Sequence, residues 1–150
     1  MSAPDTASTP RRVLVTGASG MLGGAVAQLL RDNGHHVRTF QRGASAGATD
    51  EVRGSLTDLD AVAAAVKSMD AVIHLAAKVS FTGQWEDFVA TNIDGTSNLL
   101  AASKESGVKD FVFVSSPSVA HFGDSLAGAG AGEADPQQAR GFYARSKAAA

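Results

Sequence analysis

Tyr143 and Lys147 stand four apart in Gly141-Phe142-Tyr143-Ala144-Arg145-Ser146-Lys147-Ala148-Ala149-Ala150, an alanine-rich stretch that reads as helix. Residues at this spacing share one helical face. A tyrosine, with a pKa of about 10, is a poor base near neutrality. A neighbouring ammonium stabilises the phenolate, so the pair can exchange a proton with an alcohol or a ketone. A serine hydroxyl on the opposite side, in the Ser115-Ser116 pair, can hold the substrate oxygen. YxxxK alone is short and common, and an exposed helical pair is its ordinary alternative. Order and distance give it weight: a glycine turn near the start, paired serines after a strand, then YxxxK.

The glycine turn lies in Val13-Leu14-Val15-Thr16-Gly17-Ala18-Ser19-Gly20-Met21-Leu22-Gly23-Gly24. An apolar run stops at the glycines, and the spacing then becomes helical with Leu22, Val26, Leu29 and Leu30. The first amides of a helix lack internal partners and sit at the positive end of its dipole, which suits an anionic diphosphate. Gly17 permits the sharp turn, Gly20 the approach of backbone to pyrophosphate, and Gly23 close packing of helix on strand. The spacing is GxxGxxG rather than GxGxxG. A tight strand-to-helix turn that binds nothing is the alternative when the glycines are taken alone.

These groups need a scaffold, and the chain supplies alternating strands and helices. His36-Val37-Arg38-Thr39-Phe40-Gln41 reads as a second strand after a helix stop at Asn33-Gly34. Arg42 to Gly54 reads as a loop, within which a third strand would end near Arg53. A helix follows from Leu59, with Thr57 placed to cap it and Asp58 and Asp60 near its positive end. Asp70-Ala71-Val72-Ile73-His74-Leu75 is a short strand. A long helix runs from about Glu86 to Ser106, with Phe88, Val89, Ile93, Leu99 and Leu100 for its buried side and Gly95 marking close packing. Phe111-Val112-Phe113-Val114 is the last strand. The alternation predicts right-handed βαβ units, hence a doubly wound parallel α/β sheet. In such sheets ligands sit at the carboxyl ends of the strands, where the glycines, Gln41-Arg42, Leu75-Ala76-Ala77 and Ser115-Ser116 all fall.

Composition sets further bounds. The chain has 150 residues, 44% hydrophobic and 19% charged, enough for one domain with a core, and a formal net charge of −2 with no block of like charges. Nothing points to nucleic acid or an anionic membrane as partner. The absence of cysteine excludes disulfides and thiolate metal sites, and it agrees with a cytoplasmic location. His35, His36, His74 and His121 form no ligand-like array, so no metal is expected. Residues 1–10 read as a disordered tail and residues 11–150 as one domain. No stretch approaches the roughly 18 apolar residues of a membrane span.

From about Arg11 to the last residue, the chain resembles the N-terminal part of an extended short-chain dehydrogenase/reductase. That family comprises NAD-dependent epimerases/dehydratases and 3β-hydroxysteroid dehydrogenase-like enzymes. The segments that carry the resemblance occur in family order: Thr16 to Gly23, Val72 to Ala77, Thr91-Asn92-Ile93-Asp94-Gly95-Thr96, Phe113 to Val119, and Tyr143-Ala144-Arg145-Ser146-Lys147. It implies a Rossmann-type fold and a catalytic set in which Tyr143 is the general acid/base. Lys147 lowers its pKa and contacts the nicotinamide ribose, and Ser116 donates to the substrate oxygen. Ser118 is a second contact, whereas Ser115 is structural. It places the dinucleotide against Gly17, Ser19, Gly20, Met21, Leu22 and Gly23, and along Leu75-Ala76-Ala77. Asn92 lies beside the site, as a cofactor contact or as a buried tie between helix and strand.

Two departures bear on the cofactor. Many NAD-using relatives carry an acidic residue at the end of strand two; here Gln41 and Arg42 occupy that place, and an arginine can pair with a 2′-phosphate. The expectation therefore tilts from NAD toward NADP. Gly54-Ser55-Leu56 stands where relatives commonly have an aspartate near the adenine, which leaves Ser55 and Leu56 as the contacts there. Ala150 falls inside the helix of the catalytic pair, so the sequence reads as a fragment truncated before a substrate domain, with an unpaired edge near the last strand. Pro117 to Arg140, with Asp124, Glu133 and Asp135, reads as a mobile loop over the substrate side. The function expected is hydride transfer between nicotinamide and a secondary alcohol or ketone, by a protein that pairs as a homodimer and binds a small-molecule substrate. A nucleotide-sugar epimerase or dehydratase is the alternative, and a non-catalytic dinucleotide sensor the rival from another class. The 150-residue chain alone is expected to be catalytically inactive.

Overall fold

The computed structural model describes residues 9–120 and 133–150. Five strands, β1 (Arg12–Thr16), β2 (His36–Gln41), β3 (Asp50–Arg53), β4 (Ala71–His74) and β5 (Asp110–Phe113), form one parallel sheet in the order β3-β2-β1-β4-β5. β1 lies between β2 and β4, so the chain reverses its winding there, and a crevice opens beyond the carboxyl ends of these strands. Register aligns those ends: Thr16 sits opposite Phe40 on one side and His74 on the other. The doubly wound fold is as the alternation predicts, and of the two readings open for Arg42 to Gly54, a strand ending near Arg53 or a continuing loop, the strand forms.

Alternate strand residues feed two cores. Leu14, Phe40 and Val72 pack on one face with Val62, Val66 and Leu99, from α2 (Leu59–Val66) and the helix before β5. Val13, Val15, Val37 and Ala71 pack on the other with Ala27 of α1 (Met21–Asp32). The inward row of α1 is Gly23, Val26, Ala27 and Leu30, while Leu22 and Leu29 point outward, because the small residues let the helix lie close to the sheet. The cap of α2 is Asp58, whose carboxylate accepts from Ala61 N at 3.1 Å. Thr57, expected in that role, shares a hydrogen bond with Ser55 instead (2.8 Å).

The long helix expected over Glu86 to Ser106 is three pieces: α3 (Trp85–Phe88), a π-helical segment (Val89–Asp94) and α4 (Gly95–Glu105). The widened turn directs Asn92 and Thr96 inward with Phe88 and Leu99, and Leu100 is exposed. A Cβ on Gly95 would lie 2.7 Å from Leu56 Cβ, so close packing does fix this glycine. A short 3-10 turn (Pro117–Val119) follows β5, and α5 (Gly141–Ala149) carries Tyr143 and Lys147. Among the described residues β5 pairs with β4 alone and forms a sheet edge. No helix among them is long and apolar enough to cross a membrane. Residues 1–8 of the expected tail, His121, and residues 121–132 of the expected loop, including Asp124, lie outside the described residues.

Candidate active site

A cleft of about 1210 Å³ runs from the turn after β1 to α5. Its first wall is backbone. Gly17 adopts φ of 75°, a left-handed conformation that a side chain disfavours, and a Cβ there would lie 2.9 Å from Ala76 N. A Cβ on Gly23 would come within 2.2 Å of Gly17 O, so this glycine packs the helix onto the turn itself. Gly20 caps α1 with no side chain, and the first helical turn holds no acidic residue. The amides at this end are left for an anion. Ser19, Met21 and Leu22 are exposed along the rim. The residues present therefore fit the diphosphate of a dinucleotide.

The end beyond β2 is lined by Gln41, Arg42, Ser55 and Leu56. Arg42 is exposed and has no ion-pair partner among the described residues. Gln41 turns its amide away, donating to Glu51 Oε2 at 2.9 Å. The same carboxylate accepts from Ser45 N and Oγ and from Arg53, and these bonds hold its pKa below the usual range. Ser55 Oγ bonds Thr57, and Leu56 is buried with its carbonyl held by Asn98.

At the far end Tyr143 and Lys147 line the same cleft, one turn apart on α5, together with Leu75, Ala76 and Ala77 from the loop after β4. Lys147 is 4% exposed, and its Nζ donates to Val114 O at 2.7 Å and lies 3.8 Å from the centroid of the Phe113 ring. Burial pulls its pKa down to about 8, so the amine remains mainly charged at neutrality. The serine pair departs from the expectation at Ser115. Ser115 is exposed and lines the cleft, so it is not the structural member of the pair. Ser116 precedes Pro117, which favours the extended backbone it adopts, and its Oγ caps the 3-10 turn by accepting from Ser118 N (3.3 Å) and pairing with Ser118 Oγ (2.8 Å). Ser116 lies next to the lining and its hydroxyl faces Ser118.

Asn92 is corrected from a cofactor contact to a buried tie. It is 2% exposed; Oδ1 accepts from Lys78 N (2.7 Å), and Nδ2 donates to Lys78 O (3.1 Å) and Ser146 Oγ (2.8 Å). Buried and outside the cleft lining, this side chain ties the helix to the loop.

Sequence reading passed over His74, Thr16, Thr96 and Ser146 as site residues, and all four are buried polar groups. For Thr16 and His74 the signal is a polar residue ending an apolar strand; Thr96 and Ser146 stand in polar-rich helices and give none. Thr16 Oγ1 accepts from Leu75 N (3.1 Å) and Ala76 N (3.0 Å), which leaves its proton for His74 Nδ1 at 2.7 Å. His74 Nε2 therefore carries the ring's single N–H and donates to Thr96 Oγ1 (2.9 Å), which in turn donates to Asn92 O (2.7 Å). Burial, with the charge of Lys147 added, lowers the His74 pKa to about 4 and keeps the ring neutral. The cleft thus joins a backbone turn that fits an anion to a tyrosine and an ammonium, an arrangement suited to proton exchange beside a dinucleotide.

Comparison with known proteins bears on that chemistry. The model of the NAD dependent epimerase/dehydratase family matches residues 13–150. A curated relative, 3 beta-hydroxysteroid dehydrogenase/Delta 5-->4-isomerase of Mycobacterium tuberculosis, is 38% identical over 128 residues, covering 78% of this chain and 35% of the relative. The chain spans about a third of the length of such relatives. A short-chain dehydrogenase/reductase superfamily protein from Agrobacterium tumefaciens, solved with bound NAD, superposes with a TM-score of 0.80 at 32% identity, covering 92% of this chain and 42% of that one. UDP-glucose 4-epimerase of Thermus thermophilus in complex with NAD gives 0.73 at 29% identity, covering 92% and 48%.

Proposed function

We propose, from the premise that this chain belongs to the NAD dependent epimerase/dehydratase family, that it supplies the dinucleotide-binding part of an oxidoreductase acting on a secondary alcohol or ketone. The single observation that carries this reading is that Tyr143 and Lys147 line one cleft with the turn from Gly17 to Gly23. Gly17, Ser19, Gly20, Met21, Leu22 and Gly23 would hold the diphosphate, with Leu75, Ala76 and Ala77 beside it and Arg42, Ser55 and Leu56 toward the adenosine. The nicotinamide, when bound, supplies or accepts the hydride. Tyr143 Oη gives a proton to the substrate oxygen as the ketone is reduced, and takes it back as the alcohol is oxidised. The Lys147 ammonium, fixed on Val114 O, favours the phenolate during that exchange and would reach the ribose. Ser116 would donate to the substrate oxygen after turning from Ser118. The exposed Arg42 supports NADP over NAD as the preferred cofactor, although the solved neighbours described above carry NAD.

In the intact protein, Tyr143→Phe is expected to lower turnover by about two to four orders of magnitude while cofactor affinity stays within about twofold. Unchanged turnover would remove Tyr143 from the mechanism. The family and the likeness to an epimerase keep nucleotide-sugar epimerisation as a second reading. Cofactor that stays bound through purification, with no net consumption of added NAD(P), would favour it.

A further inference from the structure

We propose that Ser146 is a positioning residue for Tyr143, because it locks the turn that carries Tyr143 and Lys147 to the loop that lines the cleft after β4. The inference rests on the reading of Tyr143 as the acid/base. Ser146 is fully buried; its Oγ donates to Tyr143 O (2.9 Å) and accepts from Asn92 Nδ2 (2.8 Å). These roles are determined rather than free. Lys78 N–H can only donate, so the atom it meets on Asn92 is Oδ1, and Nδ2 must face Lys78 O and Ser146. The single proton of Ser146 is then left for Tyr143 O. In an α-helix that carbonyl closes the turn to residue 147, so Ser146 bonds onto the peptide that sets Tyr143 and Lys147 relative to one another.

What lies behind Asn92 makes the lock a coupling. Its carbonyl, through Thr96, His74 and Thr16, joins the amides of Leu75 and Ala76 in one hydrogen-bonded series. The loop is therefore held at Leu75 and Ala76 from one end of the series and at Lys78 from the other. α5 is fastened to the described remainder by packing, in which Ala144 is buried, and by directional bonds. Phe142 and Arg145 lie on Trp85 and Phe88, ring contacts that fix the helix sideways and tolerate sliding. Directional bonds come from Ser146 to Asn92 and from Lys147 to Val114. The lysine is part of the chemistry itself, which leaves Ser146 as the group whose task is to hold Tyr143 at its height along the cleft.

Two measurements test this. In the whole chain, backbone amide exchange is compared for wild type, Ser146→Ala and Ser146→Thr. Ser146→Ala is expected to speed exchange about tenfold both in the turn of residues 143–147 and at Lys78, with β1 unchanged. Ser146→Thr, which keeps the hydroxyl, should return both toward wild type. Faster exchange in α5 with no change at Lys78 would overturn the coupling. In the intact protein, Ser146→Ala should lower kcat about tenfold and leave both KM values within about twofold, since a displaced acid/base costs rate rather than binding. Unchanged kcat, or a loss confined to KM, would overturn the positioning role. Tyr143→Phe is the control: if it also leaves turnover unchanged, the acid/base reading has failed, and the Lys78 exchange decides the coupling by itself.

Discussion

The two ends of the cleft are built from different materials. At the glycine end the constraints are backbone against backbone: Gly17 N donates to Phe40 O, Gly20 N to Gly17 O, and the positions of Gly17 and Gly23 leave no room for a side chain. At the tyrosine end they are side-chain hydrogen bonds drawn from β1, β4, α4, the π-helical segment and α5. The first wall should tolerate exchange of its rim side chains and reject an added carbon at its centre. The second should tolerate modest changes of volume and reject the loss of one polar atom.

The largest expected effect is on the first wall. Gly23→Ala places a Cβ 2.2 Å from Gly17 O and 2.7 Å from Gly17 C, which are backbone atoms that cannot swing aside. We expect a loss of stability of about 3 kcal/mol or more, with NAD(H) binding lost, by thermal melting and calorimetry. At Gly20 the added Cβ would lie 3.4 Å from Gly17 O, an ordinary contact. Gly20→Ala should therefore melt as wild type yet bind the dinucleotide at least about tenfold more weakly, because the methyl would stand where the proposed site brings the diphosphate closest to the backbone. Equal melting of the two variants would break the division between packing and ligand-facing glycines.

The same division explains what the sequence made legible. The turn, β2 with its bounds, the parallel doubly wound class and the face shared by Tyr143 and Lys147 follow from rules of spacing, alternation and turn chemistry, and these were readable. The tyrosine end depends on contacts between residues as far apart as Thr16 and His74 or Asn92 and Ser146, which no local pattern records. A π-helical turn adds to the difficulty. The apolar pattern points to Ile93 and Leu100, but the extra residue swings Asn92 and Thr96 to the core. The direction of the Ser116 hydroxyl was hidden for a related reason: strand alternation gives the face of a residue, whereas Pro117 and the 3-10 turn decide where its hydroxyl goes.

The next effect in size belongs to the second wall. In the fold the pKa of His74 lies at about 4 rather than 6.5. Between these values the unfolded chain binds more protons than the folded one, so stability falls as pH drops through that window and is complete above it. The shift amounts to about 3 kcal/mol across the window. A proton added at Nδ1 must also oust the Thr16 hydroxyl, whose oxygen already accepts from Leu75 N and Ala76 N. Urea unfolding of wild type and His74→Gln at several pH values between 4 and 7 checks this. The advantage of wild type should shrink toward pH 4. An advantage that stays constant would mean that His74 acts by packing alone and that the polar series carries no stability.

The smallest effect lies outside both walls, at Arg42 beyond β2. Glu51, on the strand beside β2, is occupied by Gln41, Ser45 and Arg53, and Arg42 lines the cleft with no acidic residue paired to it among the described residues. An exposed guanidinium beside a phosphate gains modest energy and is screened by salt. Arg42→Ala should therefore weaken NADPH about fivefold to tenfold and NADH less than about twofold, with the difference shrinking as salt rises. Calorimetric titration of wild type and variant with both cofactors at two ionic strengths measures it. Tighter binding of NADH than NADPH by wild type would end the proposed preference for NADP. Loss of both cofactors to the same degree would mean that Arg42 supports the turn after β2, and that the adenosine end, like the glycine end, is built from backbone.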